Sequence, residues 1–164
     1  MELKFHPYNL ELKNTFTISH GSRDVQPTLI VSLSDRGFTG YGEATATSYY
    51  GVTIKKMQAD ILKIEDLIAE NILLEPEELW DLTYPHLKEN PFALCALDMA
   101  MHDLHGKRNQ QPLYQLWGLD LKNIPLTNYT IGIDSVEKMV QKIKEFPWPL
   151  YKIKLGTEDD VAIV

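Results

Sequence analysis

The sequence predicts an α+β domain over about residues 1–123, followed from residue 124 by a parallel β/α segment. Strand-like alternation with many β-branched residues characterises the first stretch of the chain. From Thr53 the apolar residues recur at helical spacing instead. Near Lys122 the pattern becomes strand, helix, strand, helix, which is typical of parallel strands joined by helices.

The N-terminal stretch predicts a three-stranded antiparallel meander. Its strands are expected at LKFHPYNLEL, TLIVSLSD and TGYGEATA. Pro7 makes the first of these an edge or bulged strand, because proline has no N–H to donate to a neighbour. Two loops, 15–24 and 47–52, are expected to interrupt the meander, and both contain glycine with aromatic or charged residues, as binding loops often do.

Apolar spacing and helix-start signals predict the helices of this domain. The first apolar set is Ile54, Met57, Ile61, Ile64 and Ile68. Pro76 followed by two glutamates predicts the start of another helix, since proline and acids are favoured in a first turn. Asn90 before Pro91 predicts a further start, and Gly106 is expected to end that helix or to allow close packing near its end.

The remaining residues predict a βαβ unit and the start of a second helix. The strands are expected at IPLTNYTIG and LYKIKLG. Capping-box spacings follow each strand, namely Asp134 with Glu137 and Thr157 with Asp160. Two parallel strands cannot bury both faces alone, and a full (β/α) barrel needs roughly 250 residues. We therefore expect these 164 residues to be part of a longer protein.

Composition argues against several classes of function. The net charge is −7 without a block of like charges, which disfavours binding to nucleic acid or to an anionic membrane. No apolar run approaches the roughly 20 residues of a membrane span. Cys95 is the single cysteine, so no intrachain disulfide is possible and a reducing cytoplasm is the predicted location.

Lys152 and Lys154 stand one residue apart in a strand and therefore point to the same side of it. In a half-exposed antiparallel strand, such a pair is simply the solvated face. A parallel strand between helices is buried on both faces, and catalytic groups of barrels lie near the C-terminal ends of strands. Two ammonium groups on one face disfavour each other's charge, so a neutral lysine base becomes easier to reach near neutral pH.

Arg23 and Thr130 are candidate binding residues. Arg23 lies in the loop 15–24 and is either a solvated surface arginine or a bidentate clamp for a substrate carboxylate. Thr130 ends the first strand of the βαβ unit, where it either caps the turn or forms a hydrogen bond with a ligand. Glu43 is expected to form a structural hydrogen bond at the end of the sheet rather than to act in catalysis.

The histidines do not predict a metal site. His102 and His105 are three residues apart on a helix, a spacing that can bind a metal ion. The neighbouring carboxylates of Asp98 and Asp103 explain them equally well as helix-surface or helix-packing pairs. No His-Glu-x-x-His, cysteine pair or EF-hand spacing is present, so no metal ligand is predicted within these residues.

Three stretches occur in a fixed order along the chain: GFTGYGEA, the segment 93–118 and KIKLG. Together they resemble the enolase superfamily, in its muconate-lactonizing subgroup. The segment 93–118 follows the capping-domain signature, with acids at Asp98 and Asp103, and KIKLG is similar to the Lys-x-Lys motif of the second barrel strand. The resemblance implies an α+β capping domain over 1–123 and the first βαβ unit of a modified TIM barrel over 124–164.

Within this subgroup the chain is most similar to the dipeptide epimerases, such as alanine–glutamate epimerases. The resemblance implies a Mg²⁺-dependent isomerase that epimerises a dipeptide at its C-terminal residue, in cytoplasmic murein-peptide metabolism. The resemblance implies that Lys154 is the acid/base and that Lys152 stabilises the substrate carboxylate. It also implies that Thr130 contacts the substrate and that Arg23 binds an acidic side chain of the substrate. The acidic Mg²⁺ ligands and a second acid/base are expected on later barrel strands. A homo-oligomer is also expected.

Two alternatives stay open at this level. An o-succinylbenzoate synthase or a muconate cycloisomerase has the same fold and Lys-x-Lys motif, and would differ in what Arg23 and the Tyr49–Tyr50 loop contact. A non-catalytic binding or assembly module would use only the capping domain. Such a module would have no need of Lys152 and Lys154 on a buried strand.

Overall fold

The computed structural model describes residues 1–164 as two compact units. The first unit comprises Met1–Leu10 and Gln26–Asp120, and the second comprises Glu11–Val25 and Leu121–Val164. The strands are β1 Glu2–Ile18, β2 Gly21–Asp35, β3 Phe38–Thr45, β4 Tyr129–Ile131 and β5 Tyr151–Ile153. The helices are α1 Ile54–Leu62, α2 Glu65–Asn71, α3 Pro76–Leu87, α4 Pro91–Arg108, α5 Leu113–Leu116, α6 Val136–Glu145 and α7 Asp160–Ile163. The predicted boundary at residue 123 stays a prediction.

In the first unit, the predicted antiparallel meander is confirmed. The sheet order is β1-β2-β3, and β2 pairs with β3 from Thr28 opposite Thr45 to Asp35 opposite Phe38. Alternate residues of β2, Leu29, Val31 and Leu33, are fully buried in the core. The hydroxyl group of Thr28 donates a hydrogen bond to Glu43 Oε1 at 2.6 Å. Glu43 thus forms a structural hydrogen bond at the end of the sheet, as predicted.

The helix starts of the first unit follow local sequence signals. Pro76 is the first residue of α3, and Glu75 and Glu78 form a capping box around it. The side chain of Asn90 accepts a hydrogen bond from Ala93 N at 3.2 Å and so caps α4. The apolar set that begins at Ile54 is divided between α1 and α2 rather than lying in one helix, although most of its members are buried.

Helix α4 lies directly against strand β3 because glycine occupies two positions of the strand. A Cβ atom at Gly40 would overlap the backbone of Ala100 and Leu104, and one at Gly42 would overlap Ala96 O. The small residues Ala96 and Ala100 on the helix are also fully buried. Backbone-to-backbone packing of this kind leaves no room for a side chain between helix and strand. Helix α4 continues past Gly106 to Arg108, so this glycine does not end the helix.

Two charged side chains of α4 bind the outer backbone edge of β3. Asp103 Oδ2 accepts a hydrogen bond from Tyr41 N at 2.8 Å. Lys107 Nζ donates to Thr39 O at 2.7 Å and to Asp103 Oδ2 at 2.7 Å. The acid–lysine pair therefore holds α4 to the strand through hydrogen bonds to backbone groups that no other strand pairs with.

Asp60 of α1 connects two lysines to the cap of α4. Its carboxylate accepts hydrogen bonds from Lys56 and Lys63, and from Asn90 Nδ2 at 2.8 Å. Hydrogen bonds from Lys63, Asn90 and Lys56 hold the pKa of Asp60 well below its usual range. Asn90 is buried, so the ionised carboxylate fixes the orientation of the amide that caps α4.

In the second unit, β4 and β5 form a parallel pair joined by α6, as the sequence predicts. The helix begins one residue later than its predicted cap, because Ser135 Oγ, and not Asp134, accepts from Lys138 N. Asp134 instead pairs with Lys138 and Lys142. The segment 15–24 is also not an irregular loop, since β1 continues to Ile18 and β2 resumes at Gly21 to make a long hairpin.

The glycine contact between β3 and α4 predicts a steep cost for any side chain there. Gly42→Ala should lower the free energy of unfolding by about 3 kcal/mol or more, since the obstacle is backbone that cannot rotate away. Gly37→Ala is the matched control: its Cβ would meet nothing within 4 Å, and only its φ of +85° is unfavourable, so it should cost about 1–2 kcal/mol. Urea unfolding followed by circular dichroism measures both, and equal losses would contradict the packing argument.

The low pKa of Asp60 predicts a pH-dependent contribution to stability. A carboxylate with a lowered folded-state pKa stabilises the protein above its unfolded-state value of about 3.9, and this contribution is lost as the pH falls further. Asp60→Asn should therefore lower the urea midpoint at pH 7, and the difference from wild type should shrink by pH 3. The control is Asp81→Asn, at an exposed carboxylate of α3. A difference that stays constant with pH would contradict the role of the charge.

Candidate active site

The parallel register brings Thr130, Lys152 and Lys154 to one face of the two-stranded sheet. Thr130 lies opposite Lys152, and Ile131 lies opposite Ile153. Lys154 N donates to Ile131 O at 2.9 Å, so the hydrogen-bond ladder extends to this residue. Side chains alternate between the two faces of a strand, and the three polar residues therefore share one face.

The other face of the sheet is covered by α6 and the segment after it. The ring of Tyr129 stacks on Phe146, with 5.7 Å between centroids. The hydroxyl group of Tyr151 donates to Phe146 O at 2.7 Å. Ile131 of β4 and Met139 of α6 are both buried. The face with Thr130 and the two lysines is consequently the one that points away from α6, which is the inner face in a (β/α) barrel.

The two lysines have no partner that would explain them as structural ion pairs. Lys152 is exposed and Lys154 is half-buried. Among residues 1–164, neither ammonium group has a salt bridge or a side-chain hydrogen bond. Two unpaired cations at the end of a strand can attract a carboxylate ligand.

The outer hairpin of β1 and β2 lies at the C-terminal end of β4. Ile133 N donates to Thr17 O at 3.0 Å, which joins the hairpin to the residues directly after the strand. Within the hairpin, Thr15 Oγ1 donates to Asp24 Oδ1 at 2.6 Å, and the hydroxyl groups of Thr17 and Ser22 are 2.8 Å apart. These cross-strand bonds explain why the segment is extended rather than irregular.

Arg23 lies in this hairpin, between the two hydrogen-bonded residues Ser22 and Asp24. Its guanidinium carbon is 6.0 Å from the centroid of the Phe16 ring, at the limit of a cation–π contact. The residue is exposed, so the guanidinium can reach a ligand. The structure thus brings Arg23 into the same unit as Thr130, Lys152 and Lys154.

The turn after β5 is fixed by Asp160. Its carboxylate accepts hydrogen bonds from Gly156 N at 2.9 Å and from Thr157 N at 2.9 Å. These backbone N–H groups hold the pKa of Asp160 below its usual range. The ionised side chain therefore orders the chain immediately beyond Lys154.

The two histidines of α4 each lie beside a carboxylate. No group of three or more histidine, cysteine, aspartate or glutamate side chains is arranged to hold an ion. His102 Nδ1 lies 3.2 Å from Asp98 Oδ1, and His105 Nε2 lies 3.5 Å from Glu75 Oε2, so the two histidines belong to helix-packing pairs. Burial raises the pKa of Asp98 despite this contact.

The N-terminal domain of mandelate racemase and muconate lactonizing enzyme matches residues 1–118 of the chain. The chain belongs to this family. The match confirms the resemblance to the enolase superfamily, and the antiparallel sheet with its helices is the capping domain of that fold. No helix of this family member is both long enough and apolar enough to cross a membrane.

The relatives of the chain include named epimerases. An L-Ala-D/L-amino acid epimerase of Flavobacterium johnsoniae is 49% identical over all of this chain and 49% of the relative. An L-Ala-D/L-Glu epimerase of Bacteroides thetaiotaomicron is 33% identical over all of this chain and 43% of the relative. A crystal structure of a dipeptide epimerase from Enterococcus faecalis, complexed with Mg and L-Leu-L-Tyr, has a TM-score of 0.83 and 31% identity, and covers 98% of this chain and 47% of that one. The chain thus spans about half the length of the curated relatives it matches.

Sequence reasoning missed the residues that join the hairpin to the strand ends. Gly132 and Gly156 follow β4 and β5, and both lie against the hairpin. The only available signal was a glycine close behind each strand, in TIG and KLG. That pattern alone does not reveal a partner that is more than a hundred residues away.

Proposed function

We propose that the chain is part of a Mg²⁺-dependent dipeptide epimerase, in which it supplies the capping domain and the first two strands of the barrel. The observation that carries this proposal is the shared face of Thr130, Lys152 and Lys154, which points away from α6. The epimerase relatives support the reaction class. The proposed setting is cytoplasmic murein-peptide metabolism, with the protein as a homo-oligomer.

The proposed chemistry is transfer of the α-proton at the C-terminal residue of the dipeptide. A proton next to a carboxylate is very weakly acidic, so its removal needs a positioned base and stabilisation of the resulting enediolate. Lys154 removes the proton from one face of the α-carbon or returns it there. Lys152, on the same sheet face, keeps its ammonium group near the substrate carboxylate and stabilises the added negative charge.

Thr130 and Arg23 provide substrate recognition in this proposal. The hydroxyl group of Thr130 lies beside Lys152 in the strand register and forms a hydrogen bond with the bound dipeptide. The planar guanidinium group of Arg23 binds a side-chain carboxylate with two parallel hydrogen bonds. A dipeptide with a C-terminal glutamate fits this arrangement.

Two parts of the reaction are not provided by these residues. Epimerisation needs a second acid/base on the opposite face of the α-carbon, and the described residues form no cluster that could hold Mg²⁺. The resemblance assigns both to later barrel strands of the longer protein. Bound Mg²⁺ would stabilise the negative charge that develops when Lys154 removes the proton, so we expect the 164-residue chain alone to show no turnover.

The first test is proton NMR of a dipeptide panel in D₂O with Mg²⁺ and the full-length protein. The panel includes Ala-Glu and several apolar dipeptides. We expect the α-proton signal of the C-terminal residue to disappear as deuterium replaces it, and a chelator to stop the loss. The dipeptide that exchanges fastest identifies the preferred substrate.

If a full-length sample of verified mass exchanges the α-proton of no dipeptide, the epimerase proposal is rejected. The o-succinylbenzoate synthase and muconate cycloisomerase reactions would then be assayed with their own substrates.

The role of Lys154 is tested by Lys154→Ala in the full-length protein. Loss of the general acid/base should slow α-proton exchange at least ~10²-fold. The matched control is Lys144→Ala, which removes an exposed lysine in the last turn of α6 and should stay within about twofold of wild type. A Lys154→Ala variant as active as the control would show that the lysine is only part of a solvated strand face.

A further inference from the structure

Gly132 lies at the point where the outer β1–β2 hairpin meets the inner face of β4. The residue is buried, although it has no side chain. A Cβ atom built on Gly132 would lie 3.2 Å from Thr17 O, 3.3 Å from Thr17 N and 3.5 Å from Phe16 Cδ2. The hairpin backbone therefore occupies the space that a side chain at this position would need.

The same contact lies on the face with the candidate active-site residues. Gly132 is two residues beyond Thr130, so by strand alternation its missing side chain would point to the same side as Thr130. Ile133 N donates to Thr17 O immediately beside this contact. The hairpin thus rests on the inner face at the mouth of β4.

A second contact lies at the end of β5. Gly156 has a φ of +131°, and a Cβ atom there would lie 2.7 Å from Ser19 Cβ. The hairpin tip therefore touches the residues just beyond both strands. Two side-chain hydrogen bonds, Thr17 with Ser22 and Thr15 with Asp24, link the two strands of the hairpin at the residues on either side of Arg23.

We propose that Gly132 is a positioning residue: it seats the hairpin on β4 and thereby fixes the distance of Arg23 from Thr130, Lys152 and Lys154. A larger residue at position 132 lifts the hairpin by a few tenths of an ångström at the contact, and the cross-strand hydrogen bonds beside Arg23 transmit this shift to it. Proton transfer by Lys154 does not use the hairpin. The effect therefore falls on substrate binding rather than on the chemical step. This inference rests on the proposed function.

The test is Gly132→Ala in the full-length protein, with two measurements. The first is amide hydrogen exchange of residues 15–24, which reports the seating of the hairpin without any substrate. We expect faster exchange there than in wild type. The second is the kinetics of the dipeptide that exchanges fastest in the NMR panel. We expect KM to rise roughly tenfold, the scale of one strained packing contact, while kcat changes less than about threefold.

Gly106→Ala is the matched control. It also places a Cβ atom close to a carbonyl oxygen, 3.1 Å from Gln111 O, but within the first unit. It should leave both the hairpin exchange and KM at wild-type values. Ser19→Val adds bulk at the second contact, but from the exposed hairpin tip, where a folding defect is not expected. It should also speed amide hydrogen exchange of residues 15–24.

The outcomes separate the two proposals. Unchanged hydrogen exchange at residues 15–24 in both Gly132→Ala and Ser19→Val would overturn the seating role. Faster hydrogen exchange in Gly132→Ala with an unchanged KM would overturn the proposal that Gly132 positions Arg23. The same conclusion would follow if only kcat fell. If wild type exchanges no dipeptide, the proposed function fails, and hydrogen exchange still decides whether Gly132 seats the hairpin.

Discussion

The first unit depends on the close approach of α4 to β3. This approach is possible only because Gly40 and Gly42 leave the strand without side chains at two successive inward positions. Ala96 and Ala100 complete the fit from the helix. When two backbones touch, the relative placement of helix and strand has almost no tolerance. The close approach also brings Asp103 and Lys107 of α4 within hydrogen-bonding distance of the backbone of β3.

The second unit is organised by the two-residue period of a short parallel pair. The register of Thr130 with Lys152 assigns each side chain to a face. The aromatic residues Tyr129 and Tyr151 contact Phe146 and therefore lie on the side of the sheet that faces α6. Alternation therefore places Thr130, Lys152 and Lys154 on the opposite side of the sheet, away from the packed aromatic rings.

Local signals explain what the sequence could predict. The Asn90 cap depends on residues close by in the sequence, so the start of α4 could be predicted. The shared face of Lys152 and Lys154 follows from their two-residue spacing, so it could be predicted as well. Features that depend on residues far away in the sequence could not be predicted. The segment 15–24 has loop-like composition but is extended because its residues bond across the hairpin, and the small size of Gly132 has meaning only beside Thr17. The active-site assignments of Arg23 and the lysines rest on resemblance and stay proposals.

The side chains that hold α4 on the sheet also occupy two backbone groups of its outer edge. An edge strand normally presents unpaired N–H and C=O groups on which another chain can add a strand. On β3 the outward groups of Tyr41 and Thr39 are already bonded to Asp103 and Lys107 of the same molecule. A second copy would have to displace an ion pair before it could extend the sheet there. At Thr39 and Tyr41, this acid–lysine pair therefore disfavours pairing with a strand of another molecule.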